Sequence, residues 1–385
     1  MVVQEIDNNS SFSNISLERQ LDIFCKPLIK DRIDTGIVVG MFNSNDTSFY
    51  TYGYANYEKK EPMHKDTIFA IGSVTKCFVS SLLLVLEDKN LISLDDTIGN
   101  IFPKSINYRD DDVKNITLRE LALHTSGLPR EPKNIDTVCA GTRYAFTGHN
   151  IYEHLTSEYV YEYISNLKLN KNRLVTAQYS NLGFGILGYA ISLKMNKNLS
   201  ELLDQYIFKP LEMNDTTLKQ PQNTDRLAKG YSGDFPIFMA RNKLLQNWIF
   251  TSMMVGTGGA YSTAPDLIKF FRAHLGLSGT PLDRIFKKSR QVYASDGELS
   301  YSLGWQVDSL KRYDTSIYYK YGLIAGFSCY VGMNIPSNSA VIVLKNNFNW
   351  EDSIGHNLIL RMVKNYHLKN SRYKNNLASS LPKHL

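Results

Sequence analysis

Cysteine is scarce, with four in 385 residues. Cys25, Cys77, Cys139 and Cys329 lie far apart, form no C-x-x-C and have no histidine at metal-ligand spacing beside them, so the pattern offers no metal centre. No disulfide is expected either. Cys77 sits in an apolar helical run and Cys329 in a strand-like one, where buried free thiols are usual. Charge of one sign is also lacking: the formal net charge is +6, and the basic residues are scattered except after Arg361, which argues against a nucleic-acid partner. Long hydrophobic runs are missing. The longest, Phe78 to Leu86, is broken by Ser80 and Ser81 and is too short to span a bilayer. Met1 to Ser13 is polar and acidic, without the basic and apolar regions of an export signal. The expectation is a cytoplasmic protein if the chain is complete, and an extracytoplasmic one if a leader has been removed.

Several chemical signatures are absent too. No G-x-S-x-G elbow, HExxH or Walker loop occurs, which removes the α/β-hydrolase, zincin and P-loop classes. Gly183-x-Gly185-x-x-Gly188 matches a dinucleotide fingerprint, but it follows Tyr-Ser-Asn rather than an apolar strand. Close helix packing is its expected role, and no cofactor is expected. There is no repeat and no low-complexity tract.

What remains is an ordinary globular composition, 43% hydrophobic and 21% charged. Gly36 to Phe42 and Ser48 to Tyr54 read as a hairpin turned by Asn43-Ser44-Asn45-Asp46. Ser73 to Lys89 reads as a buried helix. Residues 91 to 290 are mostly helical patterns, among them Ile116 to Leu123, where Thr117 and Glu120 hold capping-box positions. Strand signals return at Tyr301 to Val307, Ser316 to Tyr321, Phe327 to Met333 and Ser339 to Leu344, followed by a closing helix. Strands at both chain ends around a helical middle predict an α/β (α+β) sandwich, with one antiparallel sheet built from both termini and an inserted all-helical lobe. The expected division is a polar leader over 1–25, one globular domain over 26–366 and a flexible basic tail over 367–385. Within the domain the sheet lobe is expected at about 30–70 and 295–366, and the helical lobe at about 73–290. The aromatic stretch Pro132 to Tyr163 reads either as a lid over a cleft or as a packed surface insertion.

The chemistry centres on Ser73-Val74-Thr75-Lys76. Positions i and i+3 share a helix face, so the Lys76 amine can reach the Ser73 hydroxyl. Lysine acts as the base for a serine nucleophile only if burial or neighbouring cations lower its pKa. Downstream lie Tyr179-Ser180-Asn181 and Lys320-Tyr321-Gly322. Tyr179 is read as a phenol that a nearby ammonium could hold as phenolate, a strong proton acceptor. Asn181 can donate to a substrate carbonyl, Lys320 adds positive charge, and Gly322 allows close approach of the strand backbone. His124-Thr125-Ser126-Gly127 reads as turn or capping structure, since adjacent residues do not face each other.

On these residues the chain resembles the serine β-lactamase and penicillin-binding protein superfamily, in its class C branch with D-alanyl-D-alanine carboxypeptidases and related esterases. Leu94-Asp95-Asp96, Ile116 to Leu128, Pro210-Leu211-Glu212-Met213, Gly258 to Thr263 and Leu303-Gly304-Trp305 are similar to recurring segments of that superfamily, in the same order. The resemblance implies Ser73 as acyl-enzyme nucleophile, Lys76 with Tyr179 as the proton-transfer pair, and Asn181 and Lys320 as substrate-orienting groups. It further implies the backbone N–H groups of Ser73 and Leu323 as an oxyanion hole, and a small-molecule or peptide substrate with a scissile ester, amide or lactam. The expected function is a D-amino-acid peptidase or β-lactam hydrolase. The alternatives are an esterase or acyltransferase on other substrates, and a non-catalytic binding or sensor module. The chain departs from the family where Lys-Thr-Gly becomes Lys320-Tyr321-Gly322, so a bulky ring is expected in place of a hydroxyl that would help hold a substrate carboxylate.

Overall fold

The computed structural model describes residues 16–380 except 45, 170–175, 223, 292–293 and 350–352. The first helix, α1 (Leu17–Lys30), is capped by Ser16, whose hydroxyl accepts from the Arg19 nitrogen. Leu17, Leu21, Phe24, Cys25 and Leu28 recur on one face of it, and Leu21 and Cys25 are fully buried. The boundary expected after residue 25 therefore falls inside a packed helix; residues 1–15 of the expected leader lie outside the described residues.

β1 (Gly36–Asn43) and β2 (Asp46–Asn56) form the expected hairpin, with Ser44 at φ +57 in its turn. β3 (Glu61–Pro62) extends the edge, and β4 (Phe69–Ala70) pairs separately with β5 (Tyr261–Ser262). The late strands are β6 (Ala294–Ser295), β7 (Ser300–Ser302), β8 (Trp305–Leu310), β9 (Thr315–Ile324), β10 (Phe327–Asn334) and β11 (Ser339–Lys345). The single strand expected over Tyr301 to Val307 is thus two strands. They are folded at Gly304, whose φ of +82 is left-handed and whose added Cβ would lie 2.8 Å from Ser80 Oγ.

The nine-stranded sheet runs β3-β2-β1-β11-β10-β9-β8-β7-β6. β1 pairs antiparallel with β11, Ile37 opposite Lys345, so both chain ends build one sheet. Both faces of the sheet are covered. Val38, Phe42, Val331, Ile342 and Leu344 join the large core shared with the helical lobe, while Ile37, Val39, Tyr330, Val341 and Val343 join a second core under α1 and the closing helix. Burial on both sides explains why these strands read as continuous apolar runs rather than alternating ones.

The helical lobe surrounds α2 (Thr75–Asp88), which is buried from Thr75 to Leu86. α3 (Leu118–Ala122) carries the capping box between Thr117 and Glu120. α4 (Ile135–Thr147) and α5 (Ser157–Asn166) make up most of the aromatic stretch. That stretch is packed: Tyr144 meets Phe235 and Trp248, and Tyr152 meets Trp248 and Phe250. α6 (Asn181–Met195) lies against α7 (Val255–Gly258), and a Cβ on Gly188 would come within 3.2 Å of the Gly256 Cα. The glycine pattern of α6 is therefore a helix contact, as expected. α8 (Ala264–Leu275) leads back towards the sheet.

The last helix, α9 (Ser353–Ser380), continues through residues 367–380, where a flexible tail was expected. No glycine or proline interrupts the chain between Gly355 and Pro382, so helix propagation meets no breaker. Residues 381–385 lie outside the described residues. Among those described, no helix is long and apolar enough to cross a membrane.

Candidate active site

Ser73 lies in a 3-10 turn, Gly72–Val74, immediately before α2 rather than in its first α-helical turn. Gly72 takes φ +50, and a Cβ there would lie 2.9 Å from the Leu323 nitrogen. At Gly322 a Cβ would meet the Ile71 carbonyl at 2.0 Å. Glycine at both positions thus lets β9 press its backbone against the Ser73 turn. The N-terminus of α2, with the positive end of its dipole, follows directly.

Lys76 is fully buried, its Nζ 3.0 Å from Ser73 Oγ and donating to the Thr257 carbonyl at 2.6 Å. Burial pulls its pKa well below the ordinary lysine value, and the charges of Lys320 and Arg130 act in the same direction. A neutral amine beside a serine hydroxyl can take its proton. From the other side the Tyr179 hydroxyl donates to Ser73 Oγ at 3.0 Å.

The expected phenolate does not fit this environment. Burial pushes Tyr179 up to about 12, outweighing its hydrogen bond to Ser73 and the Arg130 charge. The basic side chains stand over the ring rather than at its oxygen, Lys320 Nζ at 4.7 Å, Arg130 at 5.1 Å and Lys76 Nζ at 5.2 Å from its centroid. Tyr179 is thus a neutral phenol that donates, and Lys76 carries the lowered pKa.

Lys320 reaches the same space from β9. It is buried, its Nζ has no hydrogen-bond partner among the described residues, and desolvation lowers its pKa to about 8. The pleat sends neighbouring side chains to opposite faces, and this corrects the expectation for Tyr321. Its ring lies on the far face, 5.2 Å from that of Tyr330 and 5.6 Å from that of Tyr319. The cleft gains no bulk from Tyr321, although the position still supplies no hydroxyl there.

Asn181 opens α6, capped by Ser180, whose hydroxyl accepts from the Gly183 nitrogen at 2.8 Å. Its Nδ2 donates to Glu131 Oε1 at 2.6 Å and to the Tyr152 oxygen at 3.1 Å. The amide hydrogens expected to meet a substrate carbonyl are therefore already engaged, and Oδ1 has no partner among the described residues.

Sequence reasoning missed Arg130, Glu131, Tyr152 and Thr257 at this site, since none sits in a triplet and only the fold brings them near. It also gave His124 a turn role alone. The turn is real, with φ +61. In addition, the imidazole Nδ1 accepts from the Ser180 nitrogen at 3.0 Å, and its ring lies 4.4 Å from that of Tyr179. Burial, aided by Lys320 and Lys76, holds the imidazole neutral by lowering its pKa well below the usual value.

A fold with a serine turn at a helix start, flanked by a lysine and a tyrosine, defines a serine hydrolase of the acyl-transfer type. A model of the beta-lactamase family matches residues 26–362, and the chain belongs to that family. It is 28% identical over 324 residues to D-alanyl-D-alanine-carboxypeptidase/endopeptidase AmpH of Escherichia coli K12, covering 80% of this chain and 79% of that protein. A beta-lactamase of Psychrobacter immobilis is 25% identical over 300 residues, covering 77% and 67% respectively. Among solved structures, the beta-lactamase/D-alanine carboxypeptidase of Pseudomonas syringae shares the fold with a TM-score of 0.74 at 19% identity, over 91% of this chain and 99% of that one.

Proposed function

We propose that the chain is a peptidase of the D-alanyl-D-alanine carboxypeptidase type that also reacts with β-lactams, with Ser73 as its nucleophile. The observation that carries this reading is the bracketing of Ser73 Oγ at 3.0 Å by both Lys76 Nζ and Tyr179 OH. Lys76, its pKa lowered by burial, takes the Ser73 proton in its neutral form as Oγ attacks the substrate carbonyl. The backbone N–H groups of Ser73 and Leu323 receive the developing oxyanion. Tyr179 then gives its proton to the departing amine and regains one from the Lys76 ammonium, leaving an acyl-enzyme that water hydrolyses by the reverse relay. The Lys320 ammonium, without a hydrogen-bond partner among the described residues, attracts the carboxylate of the leaving group, which a D-amino-acid terminus or a β-lactam provides. This substrate class also agrees with what the similar curated proteins are named for.

One observation favours a second reading, an ester hydrolase: residue 321 contributes no hydroxyl to the cleft, so the carboxylate has one holder fewer. Mass spectrometry after incubation with a fluorescent penicillin tests the proposal. The expected result is an adduct of the whole antibiotic on the peptide carrying Ser73, absent from Ser73→Ala. A folded parent that labels with neither the penicillin nor a fluorophosphonate overturns it.

A further inference from the structure

Buried polar atoms normally find partners, and those that do not are informative where they gather. Around this cleft the atoms unpartnered among the described residues include Lys320 Nζ, Asn181 Oδ1 and Glu131 Oε2. Lys320 is a cationic donor on the sheet side. The other two are acceptors on the helical-lobe side, and one of them belongs to a carboxyl group. Their orientation is dictated by their neighbours. Glu131 Oε1 accepts from Asn181 Nδ2 at 2.6 Å and from the Tyr152 hydroxyl at 2.9 Å, and the Tyr152 oxygen accepts the second Asn181 hydrogen. Turning the amide over would set Oδ1 against the carboxylate, so the Asn181 carbonyl is the atom left to offer. Glu131 and Arg130 line a cavity of about 580 Å³ beside Gln178, the residue before Tyr179. Burial raises the Glu131 carboxyl above its usual range, while its two hydrogen bonds and Arg130 oppose that rise.

Resting on the reading above, in which Lys320 takes the leaving group's carboxylate, the acyl part of the substrate extends towards the helical lobe. We infer that Glu131 and Asn181 form a subsite there for a protonated amine on the acyl residue. An ammonium supplies hydrogens to both empty acceptors and charge to the carboxylate, and a charge-assisted hydrogen bond is about twice as strong as a neutral one. The preferred substrates are then unblocked aminoacyl compounds, with a cationic amine at one end and a carboxylate at the other. Glu131 determines that specificity by direct contact.

The test compares D-alanyl-D-alanine with its N-acetyl derivative, following release of alanine by the full chain and by Glu131→Gln. The parent is expected to favour the free amine at least tenfold in kcat/KM, and Glu131→Gln to lower that ratio tenfold. Because each protein's ratio is internally normalised, partial loss of folded material does not disturb it, and the parent's ratio needs no variant. Equal or better turnover of the acetylated dipeptide by the parent overturns the subsite, as does an unchanged ratio in Glu131→Gln. A fluorophosphonate separates the two proposals. If Ser73 labels but neither dipeptide is cleaved, the subsite is wrong and the nucleophile stands; if Ser73 does not label, the underlying reading falls.

Discussion

The two faces of β9 treat polar groups in opposite ways. On the cleft face, Lys320 Nζ stands over the Tyr179 ring with no hydrogen-bond partner among the described residues, and Asn181 Oδ1 and Glu131 Oε2 on the helical lobe have none there either. On the far face, Tyr319 and Tyr321 pack on Tyr330, whose hydroxyl meets His356 Nδ1 at 3.1 Å, while His356 Nε2 meets Asp308 Oδ2 at 3.1 Å. The polar chain on the far face closes on itself and holds α9 to the sheet. The one on the cleft face stays open. An unfilled buried donor or acceptor costs about 1–3 kcal/mol, a cost a fold tolerates where a ligand will supply the missing bond. On the proposed function, neighbouring residues of one strand serve binding and stability separately.

Substitutions on each face can break this contrast. The largest effect is expected at the centre of the cleft: Tyr179→Phe should lower kcat/KM on a small neutral ester by about 10²–10⁴-fold, the usual worth of a positioned proton donor. Lys320→Ala should cost far less on that ester, because the ester has no carboxylate to hold. The reverse order in steady-state assays would overturn the role assignments.

A smaller effect is expected from pH. Lys320 is charged below about 8 and neutral above it, so kcat/KM for a carboxylate-bearing substrate should fall as pH rises through 8. The neutral ester should show no such fall in the same buffers, and parallel pH profiles would contradict the assignment. On the far face, Tyr330→Phe leaves the buried His356 Nδ1 without its partner. It should destabilise the fold by about 1–3 kcal/mol in urea titration while kcat/KM stays within about twofold. A larger loss of activity than of stability would show that the two faces are not separate.

Much of this was legible early because it rests on local rules. The S-x-x-K spacing put Lys76 next to Ser73, and the Thr117–Glu120 box, the β1–β2 hairpin and the late strands follow from short-range propensity and period. Tyr179, Asn181 and Lys320 were found through their triplets. Glu131 and Tyr152 carry no such mark, since 50 and 29 residues separate them from Asn181 and only the packing of the helical lobe brings them to it. The far-face position of Tyr321 follows from strand pleat, but which face of β9 looks into the cleft is decided by what packs on each.

The amino-acid sequence by itself determined the elements, the antiparallel sheet closed by both chain ends, and the presence of a serine, a lysine and a tyrosine suited to acyl transfer. The tertiary structure alone decided which way each pKa moves, because that depends on burial. The same desolvation that lowers the pKa of Lys76 raises that of Tyr179, and the sequence alone does not fix how deeply either is buried. Burial also decided which polar atoms were left open, and hence what a substrate has to bring.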